Sequence, residues 1–267
     1  MTAHVPSVTS QIHPGANRAW TLLGLRLVMV VVLSLLMWMV LRATTGMTSF
    51  PPTMVWATLG LLPVNILCLV VLVKFYREQG LTLRQAIGVT PGRVGRDMLW
   101  GLLWLLVLNV PFTLAVSGTV FVMYGADAPE AFATIFVDPD ALPPIEPTVL
   151  LMLALVSVVP FMVLNAPVEE LVFRGYGLAG LRTVLGRTGA IIATSLLFGA
   201  QHIFFAATPA GMVVFFVAFT VWGLIAAVIV TRQGRLFPVV IAHWIINIML
   251  SAPAIVMPIL QLTDVIQ

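Results

Sequence analysis

The sequence predicts an all-α, polytopic membrane helical bundle of about seven to eight transmembrane helices, and three observations predict it. Hydrophobic residues fill 60% of the 267 positions and charged residues only 9%, whereas a soluble domain carries about 25% charge. Apolar runs of roughly 20 residues, long enough to cross a bilayer core, recur along the chain. The basic residues gather between these runs on alternate sides, so that a strictly alternating path puts twelve of the thirteen Lys and Arg residues on one face.

Taken in order, residues 1–17 are polar and contain Pro and Gly. They lack the charged start, short apolar core and small-residue cleavage site of a signal peptide, so a cytoplasmic tail is expected. Spans are expected near 19–41, 53–73, 98–124, 148–168, 189–207, 210–231 and 236–257. The third contains Pro111 and Gly118, which predicts a kink. The tail Pro253–Leu262 reads as a partial eighth span or a surface segment. Lys74, Arg77, Arg84, Arg93 and Arg96 share one connection, and Arg174, Arg182 and Arg187 fall in another. Arg232 and Arg235 lie in a third, and Arg18 and Arg26 near the start. The stretch 125–147 holds Asp127, Glu130, Asp138, Asp140 and Glu146 and no basic residue. The positive-inside rule makes the basic side cytoplasmic, which predicts a multi-pass protein of the cell membrane with a cytoplasmic N-terminus. Within the first basic loop, Leu81–Val89 reads either as a short amphipathic helix on the inner leaflet or as a solvated connector.

Several function classes lose ground on composition alone. No basic run or aromatic-rich basic face exists, which disfavours nucleic-acid binding. The single cysteine, Cys68, permits no internal disulfide and no cysteine metal cluster, and reads as a small buried hydrophobe. No internal repeat is visible, which disfavours transporters built from paired halves.

The polar residues of the apolar runs fall into three clusters. Ionisable groups in a membrane are expensive and mark function. The first cluster is Pro167-Val-Glu169-Glu170-Leu-Val-Phe-Arg174-Gly175. Residues four apart share a helix face, so Glu170 stacks under Arg174 as a supporting pair. Glu169 is rotated about 100° away, and is expected to be the free, reactive carboxylate. Pro167 is expected to kink or restart the helix just before the acids. The second cluster is Phe198-Gly-Ala-Gln201-His202, with Phe198 one turn before His202 on the same face. The third pairs His243 with Asn247, again four apart. Asn65 and Asn109 lie in other runs and read as lone polar residues. A carboxylate, two imidazoles and an amide are the parts needed to split an amide with water: Glu169 and one histidine activate the water, and the other pair holds the oxyanion. Two other readings use the same residues: a non-catalytic scaffold or toxin-immunity protein of this fold, and a proton-coupled transporter.

Glu-Glu-x-x-x-Arg, then Phe-x-x-x-His, then His-x-x-x-Asn, each on its own hydrophobic helix, resembles the CAAX protease and bacteriocin-processing family of intramembrane proteases (CPBP, also called Abi). The resemblance covers roughly residues 148–250 as the catalytic core. Residues 18–147 then form accessory N-terminal helices, and 251–267 a C-terminal segment. It implies that Glu169 and His202 activate the water, that His243 and Asn247 form the oxyanion site, and that Glu170, Arg174 and Phe198 support them. The implied partners are a membrane-embedded or lipidated peptide or protein substrate and the bilayer itself. A metal-dependent variant is also implied, with zinc on Glu169, His202 and His243. No His-Glu-x-x-His motif is present, and the cofactor-free mechanism is favoured. Depth raises a difficulty. With the expected spans, His202 lies about 13 residues and His243 about 7 from the basic side, a mismatch of roughly 9 Å. A re-entrant continuation in 176–188 would absorb it.

Overall fold

The computed structural model describes residues 14–46, 50, 54–136, 145–206 and 208–263. The expected tail up to residue 13, Asp138 and Asp140 lie outside the described residues. The described residues contain helices and no strand. The long helices are α1 (Ala16–Thr45), α2 (Met54–Arg77), then, after the short α3 (Leu83–Ile87), α4 (Val94–Tyr124). They continue with α5 (Ala128–Ile135), α6 (Pro147–Glu170), α7 (Leu178–His202), α8 (Pro209–Gln233), α9 (Phe237–Ser251) and α10 (Pro253–Leu262).

Their ends follow ordinary capping chemistry. Thr82 and Gln85 form a reciprocal capping box on α3, so Leu83–Ile87, within the expected Leu81–Val89, is a short helix carrying its own start signal. Glu146 caps α6 by accepting from the Val149 amide at 3.2 Å, with Pro147 at the first helical position. Thr208 does the same for α8 through the Gly211 amide at 3.0 Å, ahead of Pro209. Part of the acidic stretch is itself helical, as α5. Pro111 is accommodated inside α4, which runs from Val94 to Tyr124 without interruption.

Six stretches are long and apolar enough to cross a membrane, and one of them holds two of the seven expected spans. The spans expected at 148–168 and 189–207 lie in one continuous helical run of 59 residues, Pro147–Phe205. Straight, that run would measure about 88 Å, nearly three bilayer cores. It is not straight. Gly186 has φ +66° and ψ −176°, a left-handed-side conformation open to glycine, and the chain doubles back there. Glu169 and Gln201, 32 residues apart, hydrogen-bond at 3.0 Å, and their midpoint falls beside Gly186. Phe173 and Phe198, with ring centres 5.2 Å apart, straddle the same point. The expected basic loop after residue 168 is therefore helix up to this hairpin, and Arg174 belongs to the interior. The tail Pro253–Leu262 follows α9 within one apolar stretch of 26 residues and adds no separate span.

Small residues set the packing of the returning arm. At Gly199 a Cβ would overlap Thr220 Oγ1 and sit 2.6 Å from the Phe216 carbonyl, and at Gly223 it would lie 3.0 Å from Ser195 Cα. Backbones of α7 and α8 meet through these glycines, the usual close-approach device of membrane helices. The result presses the end of α7, which bears His202, against the aromatic face of α8.

Candidate active site

Between α6 and α7 the backbone passes through a π-helical turn, Leu171–Gly177, every residue of which is buried. Such turns disturb the helical ladder and recur at functional sites. Of the two effects expected at Pro167, a kink or a restart, the helix shows no restart: α6 continues to Glu170. Its effect is felt four residues back. Lacking an N–H, it leaves the Val163 carbonyl without its helical donor, and Trp244 Nε1 of α9 donates to that oxygen at 3.1 Å. The proline thus docks α9 onto α6 at the residue beside His243.

The three clusters converge. Glu169, Glu170, Arg174, Phe198, His202, His243 and Asn247 are all buried. Glu170 Oε1 accepts from Arg174 Nη1 at 3.2 Å, the pair expected from their spacing. It also lies 2.9 Å from Nδ1 of His243. A carboxylate accepts only, so Nδ1 carries the hydrogen and Nε2 is the working nitrogen. That Nε2 is 3.5 Å from Oε2 of Glu169. His202 has the same logic: Nδ1 donates to the Phe198 carbonyl at 2.6 Å, which turns Nε2 outward. Its ring stacks on Phe219 of α8, centroids 3.6 Å apart and 9° from parallel. Phe198 supports both sides of the centre, lying 3.9 Å under the Arg174 guanidinium and 4.5 Å from the His202 ring.

Glu169 is not free, as the helical spacing implied. Its Oε1 accepts from Arg26 Nη2 at 2.6 Å and from Gln201 Nε2 at 3.0 Å. A buried carboxylate requires a counter-ion, and Arg26 lies 143 residues away in α1. Sequence reasoning counted Arg26, with Arg18 near the start, among the basic residues of the cytoplasmic side; it is fully buried. Nor is Asn65 alone: it accepts from Arg26 Nη1 at 3.0 Å and donates to Asn165 Oδ1 at 3.1 Å. The signal available was the presence of Arg26 and Asn65 within apolar runs, where polar groups need protein partners. Two carboxylates thus face two guanidiniums, one pair local and one remote.

Four polar atoms of the cluster have no hydrogen-bond partner: Oε2 of Glu169, Oε2 of Glu170, Nη2 of Arg174 and Nδ2 of Asn247. Buried polar atoms are ordinarily satisfied, so this collection of two acceptors and two donors is suited to a polar guest.

For the alternative with zinc on Glu169, His202 and His243, the partners of Glu169 count against the fit. Among the described residues no group of three His, Cys, Asp or Glu side chains has metal-holding geometry. Glu169 spends one oxygen on Arg26 and Gln201, and a guanidinium 2.6 Å away opposes a divalent cation.

Residues 148–249 match the family model described as Type II CAAX prenyl endopeptidase Rce1-like. No curated protein and no solved structure matches the chain. The match spans Glu169, His202, His243 and Asn247 and stops short of Arg26 and Asn65. The segment that carries the three motifs is therefore similar to the Rce1-like CAAX protease family, the family that their order resembles.

Proposed function

We propose that this protein is an intramembrane endopeptidase that hydrolyses a peptide bond in a membrane-associated substrate, including lipidated, CAAX-like C-termini. The observation that carries the reading is the unpaired Oε2 of Glu169, buried and 3.5 Å from the working nitrogen of His243. The N-terminus lies on the cytoplasmic side in this reading, by the charge bias of the exposed basic residues.

The chemistry follows from the free valences. A water held between Glu169 Oε2 and His202 Nε2 gives a proton to the carboxylate, which acts as general base. The oxygen adds to the scissile carbonyl carbon. The resulting oxyanion accepts from Asn247 Nδ2, an otherwise unused donor, and from His243 whenever its Nε2 bears a proton. Glu169 then returns its proton to the amide nitrogen as the C–N bond breaks, leaving an acid and an amine. Glu170 holds the His243 ring by its Nδ1, and Arg174 balances the charge of Glu170.

The test is cleavage of a fluorogenic membrane-peptide library, prenylated and unprenylated, by the purified chain in proteoliposomes. Glu169→Ala and His202→Ala are compared with wild type, with and without a strong chelator. Activity lost in both variants and indifferent to chelator is the expected result. Loss with chelator and rescue by zinc transfers the mechanism to a metal. Cleavage by an intact Glu169→Ala variant overturns the proposal. A wild type that cuts nothing favours a scaffold or immunity role, and proton flux across the vesicles favours a transporter.

A further inference from the structure

The N-terminal helices contribute to the site a group that lies outside the family match. Arg26 of α1 is fully buried and uses its whole fork. Nε donates to Gln201 Oε1 at 2.8 Å, and Nη1 to Asn65 Oδ1 at 3.0 Å. Nη2 donates to Glu169 Oε1 at 2.6 Å and reaches Asn165 Oδ1 at 3.5 Å. Gln201 sends its own Nε2 to the same Glu169 oxygen at 3.0 Å. The grip on the carboxylate is therefore one-sided. Arginine ordinarily prefers to bind a carboxylate with two parallel hydrogen bonds, one to each oxygen. Here Asn65 occupies the second terminal nitrogen, and Asn65 Nδ2 is itself tied to Asn165 at 3.1 Å. Oε1 is saturated and Oε2 is left with no hydrogen bond.

We infer that Arg26, with Gln201, is a positioning residue: it fixes Glu169 through Oε1 so that Oε2 alone is presented to the water, and Asn65 keeps the grip from closing over both oxygens. The inference rests on the proposed role of Glu169 as base. It makes α1 and α2 parts of the active centre as well as of the surrounding bundle. A lysine in place of Arg26 supplies the charge without the fork, and a methionine supplies neither.

The experiment measures kcat and KM in proteoliposomes for wild type, Arg26→Lys, Arg26→Met, Gln201→Met and Glu169→Gln. The folded fraction of each is measured by size-exclusion chromatography and thermal melting. Freeing the carboxylate to rotate misplaces the base, and misplacement by about 1 Å costs about 100-fold. Arg26→Met is expected to lose about that factor in kcat per folded molecule, with KM changed by less than about twofold, since only the reacting geometry is altered. Arg26→Lys is expected to recover part of the loss, to within about tenfold of wild type. A purely structural arginine would lower the folded fraction and leave kcat per folded molecule unchanged, which overturns the inference. If Arg26→Met does not fold, Gln201→Met decides, because it leaves the ion pair in place. A kcat loss of about tenfold at constant KM supports the clamp, and an unchanged kcat overturns it. Glu169→Gln separates the two levels. If it is inactive while the Arg26 and Gln201 variants work normally, the clamp fails and the base survives. If it cleaves normally, both fall.

Discussion

Replacing Asn247 with leucine should make this protein more stable and less active at the same time. Asn247 Nδ2 is buried and hydrogen-bonds to nothing. A buried donor left unsatisfied costs about 1–3 kcal/mol. Leucine matches asparagine in heavy-atom count and in its branch at Cγ, so the change removes that penalty without a cavity. At about 2–4 °C per kcal/mol for a chain of this size, the thermal midpoint in detergent should rise by several degrees. The catalytic effect runs the other way. Loss of one oxyanion donor costs about 10²–10³ in kcat. The assay pairs a melting curve with steady-state cleavage of the best library substrate, each per folded molecule. A lowered midpoint with wild-type kcat would refute the reasoning on both counts, because it would mean that the amide is a structural tether between helices.

Other expectations use the same geometry. Glu170→Gln removes the charge partner of buried Arg174 and replaces the charged acceptor of His243 Nδ1 with a weaker neutral amide oxygen. It should destabilise by about 3–5 kcal/mol and abolish most activity, read by melting and cleavage together. Gly199→Val drives a side chain into Thr220 Oγ1 and the Phe216 carbonyl; the α7–α8 crossing should open, with a stability loss of about 1–3 kcal/mol or more seen as a lower midpoint. Trp244→Phe leaves the Val163 carbonyl without a donor and should cost about 1–3 kcal/mol in the same melt. Arg18→Ala breaks the Arg18–Glu78 pair, in which the two side chains are 51% and 38% exposed, and should change stability by less than about 1 kcal/mol.

What could be read from the sequence was whatever is local. Glu170 and Arg174 pair because they stand four apart on one helix, and His243 and Asn247 share a face for the same reason. The Thr82–Gln85 cap and the Pro147 and Pro209 starts are equally local. Apart from the continuous helix at Pro167, the misreadings involve distance along the chain. Apolar run length located the membrane segments but not the continuation of helix past Arg174, because Arg174, Arg182 and Arg187 read together as the charges of a connection. Gly186 carries no hydrophobic signature, so the reversal point was invisible. With the hairpin at Gly186, Glu169 and Gln201 sit at equal depth on two arms, each roughly 24 Å long.

The same contrast explains why the three motifs are chemically incomplete. Taken alone, they supply two acids and one guanidinium, and leave Glu169 as an uncompensated charge in a low-dielectric interior. Breaking one partner from a buried pair costs about 3–5 kcal/mol, so a second cation is required somewhere in the bundle. Among the described residues, Arg26 is the guanidinium that meets Glu169, and it arrives from a helix that no local spacing rule connects to the acid. The segment 148–249 therefore holds the groups proposed to react, while the counter-ion of Glu169 comes from α1. A carboxylate pair in an apolar segment, one member lacking a local partner, implies a remote arginine by charge balance alone. Arg26 is the one basic residue inside the expected early spans 19–41 and 53–73, so charge accounting points to it.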